Sequence, residues 1–345
     1  MTDPLMYYVV IPLIKVVVIL GVLLLIVAYL TYAERKILGY LQVRLGPNRV
    51  GPKGWLQPVA DGLKLLVKED LVPGRAERLV FMIAPALVFV PAIVVWSVIP
   101  FGVPFSFRGV EIQPILADIN IAILFVLAIS SIGVYGIILG GWSSNNKFSL
   151  MGGLRSAAQV VSYEVPLGFS VASVLLMAGT LSLVGIVEAQ RDAGLWFIVP
   201  GILGFGIFFV CGVAETNRNP FDLPEAEAEL VAGFHTEYSG MKFAFFYMAE
   251  YANMLVVSSL AVILFFGGWL RPFPSVEWLG FLDLIPPFFW YAGKVLAFIF
   301  VYIWFRGTFP RYRFDQLMAV GWKWLLPLSL ANVMLVALGV LLLKG

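Results

Sequence analysis

Apolar residues run in eight long stretches along the chain, at about 8–31, 80–100, 119–140, 162–186, 196–214, 241–269, 288–305 and 321–343. Each approaches the roughly 20 residues a helix needs to cross a hydrocarbon core, and a helix satisfies its own backbone there. The expected fold is all-α: one polytopic membrane domain over 1–345, with about eight transmembrane helices. A different rhythm appears after the first stretch. Leu56, Val59, Ala60, Leu63, Leu66 and Val67 recur at i, i+3, i+4 spacing, while Asp61, Lys64 and Lys68 lie on the other side. This predicts an amphipathic helix at the interface, either a lipid-surface anchor or a wall of a cavity opening from lipid. Prolines 12, 85, 91, 166, 200 and 327 fall in or beside the stretches, and Gly201 to Gly206 suits close helix packing. Neither an internal repeat nor the paired, broken spans of an inverted-repeat carrier is evident.

The polar positions between the stretches carry an orientation. The first connection, 33–78, holds Arg35, Lys36, Arg44, Arg49, Lys53, Lys64, Lys68, Arg75 and Arg78; the third holds Lys147 and Arg155, the fifth Arg218, the seventh Arg306, Arg311 and Arg313. The even connections hold only Arg108, Arg191 and Arg271. Cytoplasmic loops carry the excess of Lys and Arg, so the odd connections are expected on that side of a cell inner membrane and both termini on the periplasmic side. The first stretch lacks a basic leader and a small-residue cleavage site, and reads as a retained span. Lys15 and Lys294 interrupt apolar runs, and Lys15 is expected to snorkel or to pair.

Composition narrows the chemistry. Cys211 is the only cysteine and His235 the only histidine. That excludes an internal disulfide, a protein-held iron–sulfur cluster and haem on paired histidines, and a metal site of the His/Cys type is not expected. His235 reads as a polar loop residue, with proton handling as the alternative. No nucleotide fingerprint occurs in a strand–helix context. Nothing suggests a nucleic-acid partner.

What stands out is an acidic connection, 215–240, in a chain only 13% charged. It carries Glu215, Asp222, Glu225, Glu227, Glu229 and Glu237, with Glu250 further into the next span and Glu164 near the start of the fourth. Carboxylates at membrane depth are costly unless paired or hydrated, so they mark a proton or ion route, or else a buried ion pair. If 222–229 is helical, Asp222, Glu225 and Glu229 share a face, and like charges that close favour holding protons near neutral pH. In the basic connection, 306–320, Arg306, Arg311 and Arg313 with Asp315 are more than a topology signal requires; they are expected to bind carboxylates of the fifth connection or of a partner subunit.

Four stretches together resemble one family: Ala33 to Lys36 with Gly46 to Pro52; Gln159 to Glu164; Ala214 to Arg218 with Pro220 to Leu223; and Pro310-Arg311 with Asp315 to Met318. The chain is similar there to the H subunit of bacterial NADH-quinone oxidoreductase, the equivalent of subunit 1 of mitochondrial complex I. The resemblance implies a membrane subunit under a peripheral arm, forming most of the chamber that quinone enters from the bilayer, with flavin (FMN) and iron–sulfur clusters on partner subunits. It implies that Glu34, Arg35, Trp55, Asp61, Lys64 and Arg218 line the chamber, and that Glu215, Asp222, Glu225, Glu227, Glu229 and Glu237 couple quinone chemistry to membrane acids through Glu164 and Glu250. Ubiquinone is favoured as the quinone by analogy. Two other readings stay open on the residues alone: the membrane anchor of a related energy-converting hydrogenase, and a self-contained cation channel or antiporter.

Overall fold

The computed structural model describes residues 9–107, 110–224 and 227–344. Its helices are α1 (Ile11–Leu41), α2 (Gln57–Val67), α3 (Arg78–Val94), α4 (Ala122–Ser143), α5 (Lys147–Ala178) and α6 (Leu183–Asp192) in the first half. The second half contributes α7 (Ile202–Glu215), α8 (Glu227–Leu230), α9 (Gly240–Phe265), α10 (Pro287–Thr308), α11 (Phe314–Ala319) and α12 (Leu326–Lys344). A π-helical segment, Val320–Leu325, joins the last two. Two short strands, β1 (Phe105–Phe107) and β2 (Val110–Ile112), pair antiparallel with Phe105 opposite Ile112. Among the described residues seven helical segments are long and apolar enough to cross a membrane, and α7 is an eighth, shorter apolar helix. The all-α, multi-pass reading therefore holds, and α2 lies where the amphipathic pattern put it.

The boundaries differ where charged side chains find partners inside the bundle. The first helix does not stop near residue 31 but runs to Leu41, so Glu34 and Arg35 are on its last turns and not in a loop. The fourth span starts at Lys147, with Asn146 as its cap, and closes at Gly179, whose φ of 71° is left-handed and suits a residue without Cβ. Glu164 thus sits mid-helix, and 183–192 forms a separate short helix. At 14 residues α7 is only about 21 Å long, well short of the hydrocarbon thickness. The last span begins at Phe314, earlier than the apolar run, because α11 and the π segment carry polar residues into it.

Helix α9 is the most enclosed: most of its side chains are buried, against α3 on one side and α1, α7 and α10 on the others. Helices α3, α4, α5 and α12 pack in succession. Gly136 of α4 permits the closest of these approaches, since a Cβ there would lie 2.4 Å from Val88 of α3. The odd connections meet at one end of the bundle: Glu77 N–H donates to Ser143 O at 3.0 Å, Lys242 pairs with Asp70 at 3.0 Å, and Tyr312 N–H donates to Pro220 O at 3.2 Å. At the other end the second connection meets the Ser182 hydroxyl, which donates to Asp118 at 3.3 Å, while Phe101 packs edge-on to Tyr291 of α10 and Lys15 of α1 reaches the carbonyl of Ile115 at 3.3 Å. Lys294 turns to backbone carbonyls. It caps the end of α9, donating to the carbonyls of Phe266, Gly268 and Leu270 at 2.6–3.0 Å, with its ammonium over Trp196.

Candidate functional site

The site is assembled where α7 ends. Thr216 folds its hydroxyl back onto the carbonyls of Gly212 and Val213, and Arg218 N–H bonds to Val213 O, so the chain turns sharply inward. Gln159 of α5, fully buried, holds this turn with one amide group: its Nε2 lies 2.8 Å from Ala214 O, 2.9 Å from Phe221 O and 3.2 Å from Asn217 Oδ1. Phe221 then wedges between the rings of Tyr163 and Tyr312. The turn carries Arg218 into the interior.

There Arg218 is the hub of an ion cluster drawn from four elements. Its Nη1 lies 3.2 Å from both oxygens of Glu34 on α1, and its Nε 2.7 Å from Glu250 on α9, off the hydrogen-bond line. Arg306 of α10 donates to the same Glu34, and the Tyr251 hydroxyl donates to Glu34 at 2.7 Å. The guanidinium lies 4.3 Å from the Tyr251 ring centroid, a cation–π contact. Tyr247, one turn earlier, places its hydroxyl 3.0 Å from that of Tyr251. Burial works against the charge on Arg218, but Glu250 and Glu34 outweigh it and hold the guanidinium protonated. Two acids face two guanidiniums here, with side chains of Glu34 and Arg218 only 4% exposed. Burying such a set is costly, and removing one member leaves an uncompensated charge.

Next to the cluster a cavity of about 60 Å³ lies between α4, α5, α7 and α9. Glu215 and Glu250 line it together with Ser130, Asn217 and Asn253. Its size and polar lining suit a few waters. Behind Ser130, the Ser131 hydroxyl donates to Glu164 of α5, whose charge acts on Glu215. Carboxylates from α5, α7, α9 and α1 thus follow one another from the middle of the bundle to its charged end. The sequence reading missed Tyr247, Tyr251, Ser131 and Gln159 as members of this site. Tyr251 carried a signal in its place directly after Glu250, with Tyr247 on the same face.

The acidic connection behaves otherwise than its composition suggests. Asp222 lies between α7 and α8, outside either helix, and bonds Arg311 at 2.8 Å; Glu229, on the short α8, bonds Arg155 at 2.6 Å; Glu237 accepts from Asn146 at 2.6 Å. The common helical face for Asp222 and Glu229 is not formed, because each acid has its own counter-group. Burial pushes the Asp222 carboxyl above the usual range, against the lowering pull of Arg311. Glu225 lies outside the described residues, and Glu227 is described only as the first residue of α8.

The remaining predicted positions separate into two groups. On the outer face of α1 and α2, Asp61 bonds Arg35 at 2.6 Å and Gln57 at 3.1 Å, and lies 3.4 Å from Lys64. Partial burial would raise its pKa, but the Arg35 hydrogen bond and charge win and hold it below the ordinary carboxylate range. Trp55 packs against Tyr29 and Tyr32 beside them. Glu34 and Arg218 lie instead in the interior cluster. In the seventh connection Arg306 and Arg311 are bound within the chain, whereas Arg313 caps α11, its N–H donating to Gln316 Oε1 at 3.2 Å, and its guanidinium lies 3.3 Å from the neighbouring Asp315. His235 packs edge-on against Phe234 and Phe243, and burial lowers it to about 4, so it is neutral at pH 7. No group of three or more potential metal ligands occurs among the described residues.

Fold and site together define a multi-pass membrane protein, all helical, with a line of interior carboxylates ending in a charge-balanced cluster. A family profile described as NADH dehydrogenase matches residues 14–337. The NADH-quinone oxidoreductase H subunit 2 of Rhizobium etli is 53% identical over 328 residues, covering 95% of this chain and 93% of the relative. The H subunit of Paramagnetospirillum magneticum is 53% identical over 334 residues (97% and 93%), and that of Rickettsia canadensis 52% over 324 (94% and 91%). The chain belongs to the family of NADH-quinone oxidoreductase H subunits. It is a membrane subunit of an oxidoreductase complex, which leaves the hydrogenase-anchor and lone-channel readings without support.

Proposed function

We propose that the chain forms a wall of the chamber in which the complex reduces quinone, and that it passes the charge change of that reduction to its line of interior carboxylates. The observation that carries the reading is the contiguity of the Glu34–Arg218–Glu250–Arg306 cluster with the cavity holding Glu215 and Glu250. Electrons would come from NADH through flavin and iron–sulfur centres on partner subunits. This chain's residues do the electrostatic work. Reducing a quinone demands protons and changes the charge in a medium of low dielectric, where a unit charge acts far more strongly than in water. Arg218 and Arg306 set the potential at Glu34 and Glu250, so a charge change in the chamber shifts which of the four carboxylates hold protons. Ser131, the Tyr247–Tyr251 hydroxyls and water in the cavity supply the hydrogen-bonded steps between them.

The amphipathic α2 with Trp55 and the Arg35–Asp61–Lys64 group is the proposed entrance. Its exposed leucines face the lipid side, while its ionic edge fixes it to α1. The charged end of the bundle, with Asp222, Arg311 and Glu229, would face the cytoplasm and seat the peripheral arm. Ubiquinone remains the favoured substrate. A photoreactive quinone analogue added to inner membranes tests the chamber. It should label the 29–68 segment, and excess quinone should suppress the labelling. Labelling confined to other subunits would remove this chain from the chamber.

A further inference from the structure

Away from the acid cavity, an apolar crevice of about 230 Å³ lies between α7, α10 and the two connections folded over their ends. Phe209 and Val213 of α7, Phe305 of α10, and Phe221, Phe309 and Tyr312 of the connections form its wall, and among the described residues no charged side chain lines it. The rings brace one another: Phe209 and Phe305 are 5.8 Å apart, Phe305 and Phe309 4.9 Å, Phe221 and Tyr312 5.7 Å. The crevice opens to the surface, since Phe309 and Tyr312 are 47% and 43% exposed. An apolar space of this kind binds water poorly.

Its depth and charge identify the occupant. Val213 is near the last residue of α7 and Phe309 directly follows α10, so the crevice lies at the end of the bundle where the charged connections gather. Nearby segments expose Trp304, Phe314, Trp322 and Trp324, the aromatic pattern of a membrane–water boundary. Because α7 is short, its side of the bundle leaves apolar surface that lipid must fill. The lining Tyr312 is flanked by Arg311 and by Arg313, whose side chain is 79% exposed. A transmembrane helix about 10 Å across is too wide to enter a space of this size, whereas an acyl chain is not.

We propose that this crevice binds an anionic phospholipid, with one acyl chain among the rings and the phosphate on Arg313. The site is separate from the proposed quinone entrance at α1 and α2. Basic groups beside a pocket between transmembrane helices are the pattern that holds such headgroups. The test is phospholipid content by mass spectrometry of the whole complex, purified with wild-type chain, with Arg313→Gln, and with Val213→Phe, which fills the crevice. Both variants should assemble and lose a tightly held anionic phospholipid, and added phosphatidylglycerol, but not phosphatidylcholine, should restore it in wild-type complex stripped with detergent. Unchanged lipid content in assembled Arg313→Gln complex would overturn the proposal. So would loss of a partner subunit from the Arg313→Gln complex with its lipid retained, since Arg313 would then be a protein-docking residue.

Discussion

Arg218 is the residue on which the interior charges depend. Replacing it with Met leaves Glu34 and Glu250 facing each other with Arg306 alone to offset them. Breaking a buried pair in this way costs about 3–5 kcal/mol. We predict that Arg218→Met lowers the amount of assembled complex in membranes at least tenfold, as measured on native gels, and that Arg218→Lys restores part of it. A wild-type amount of assembled Arg218→Met complex would show that the cluster is not structural. His235 provides a second check at this scale. Its folded pKa, about 4, lies below the ordinary value of 6.5, so the neutral form is favoured by folding. The contribution is complete above pH 6.5 and is lost as pH falls towards 4. The His235→Gln complex should therefore lose less thermal stability than wild type between about pH 7 and pH 5. An identical loss in both would mean that His235 titrates at its ordinary pKa.

At the scale of elements, the apolar stretches gave the eight apolar helices and the amphipathic period gave α2, because both are repeated patterns over many residues. The ends of helices were not legible, because they depend on partners distant in sequence. Glu34 and Arg35 look like loop residues until Arg218, Arg306 and Asp61 are brought beside them, and the charged turns of α1 then continue as helix. Glu164 looks like a residue at a span end until α5 proves to begin at Lys147. The acid-rich run likewise reads as one repelling cluster, since sequence does not show that Arg155, Asn146 and Arg311 separate its members. Gln159 makes the turn between α7 and α8 an extension of α5. We predict that Gln159→Leu, which deprives two carbonyls of their donor, exposes the turn to protease and reduces assembled complex several-fold; protease resistance equal to wild type would refute this. Sidedness belongs to these elements too. Because Cys211 is buried, labelling a cysteine placed at Lys53 in intact cells reports that site alone. The site should be silent until the membrane is opened, and labelling in intact cells would reverse the proposed orientation.

For the whole molecule, the family was legible in motif residues, whereas the route between them was not. Glu164, Glu215, Glu250 and Glu34 are spread over four helices, and the packing of α5 on α7 and of α9 on α7 and α1 aligns them. The alternative to a coupling role is that these acids serve only to hold the bundle together. Glu164 and Glu215 separate the two cases best, since neither is part of the Arg218 cluster. The decisive measurement is proton pumping by purified Glu164→Gln and Glu215→Gln complexes reconstituted in vesicles, alongside quinone reduction and NADH oxidation by an artificial acceptor that bypasses quinone. A coupling role predicts assembled complexes with normal artificial-acceptor activity, quinone reduction lowered at least tenfold, and pumping lost with it. Wild-type quinone turnover and pumping in both variants would contradict it.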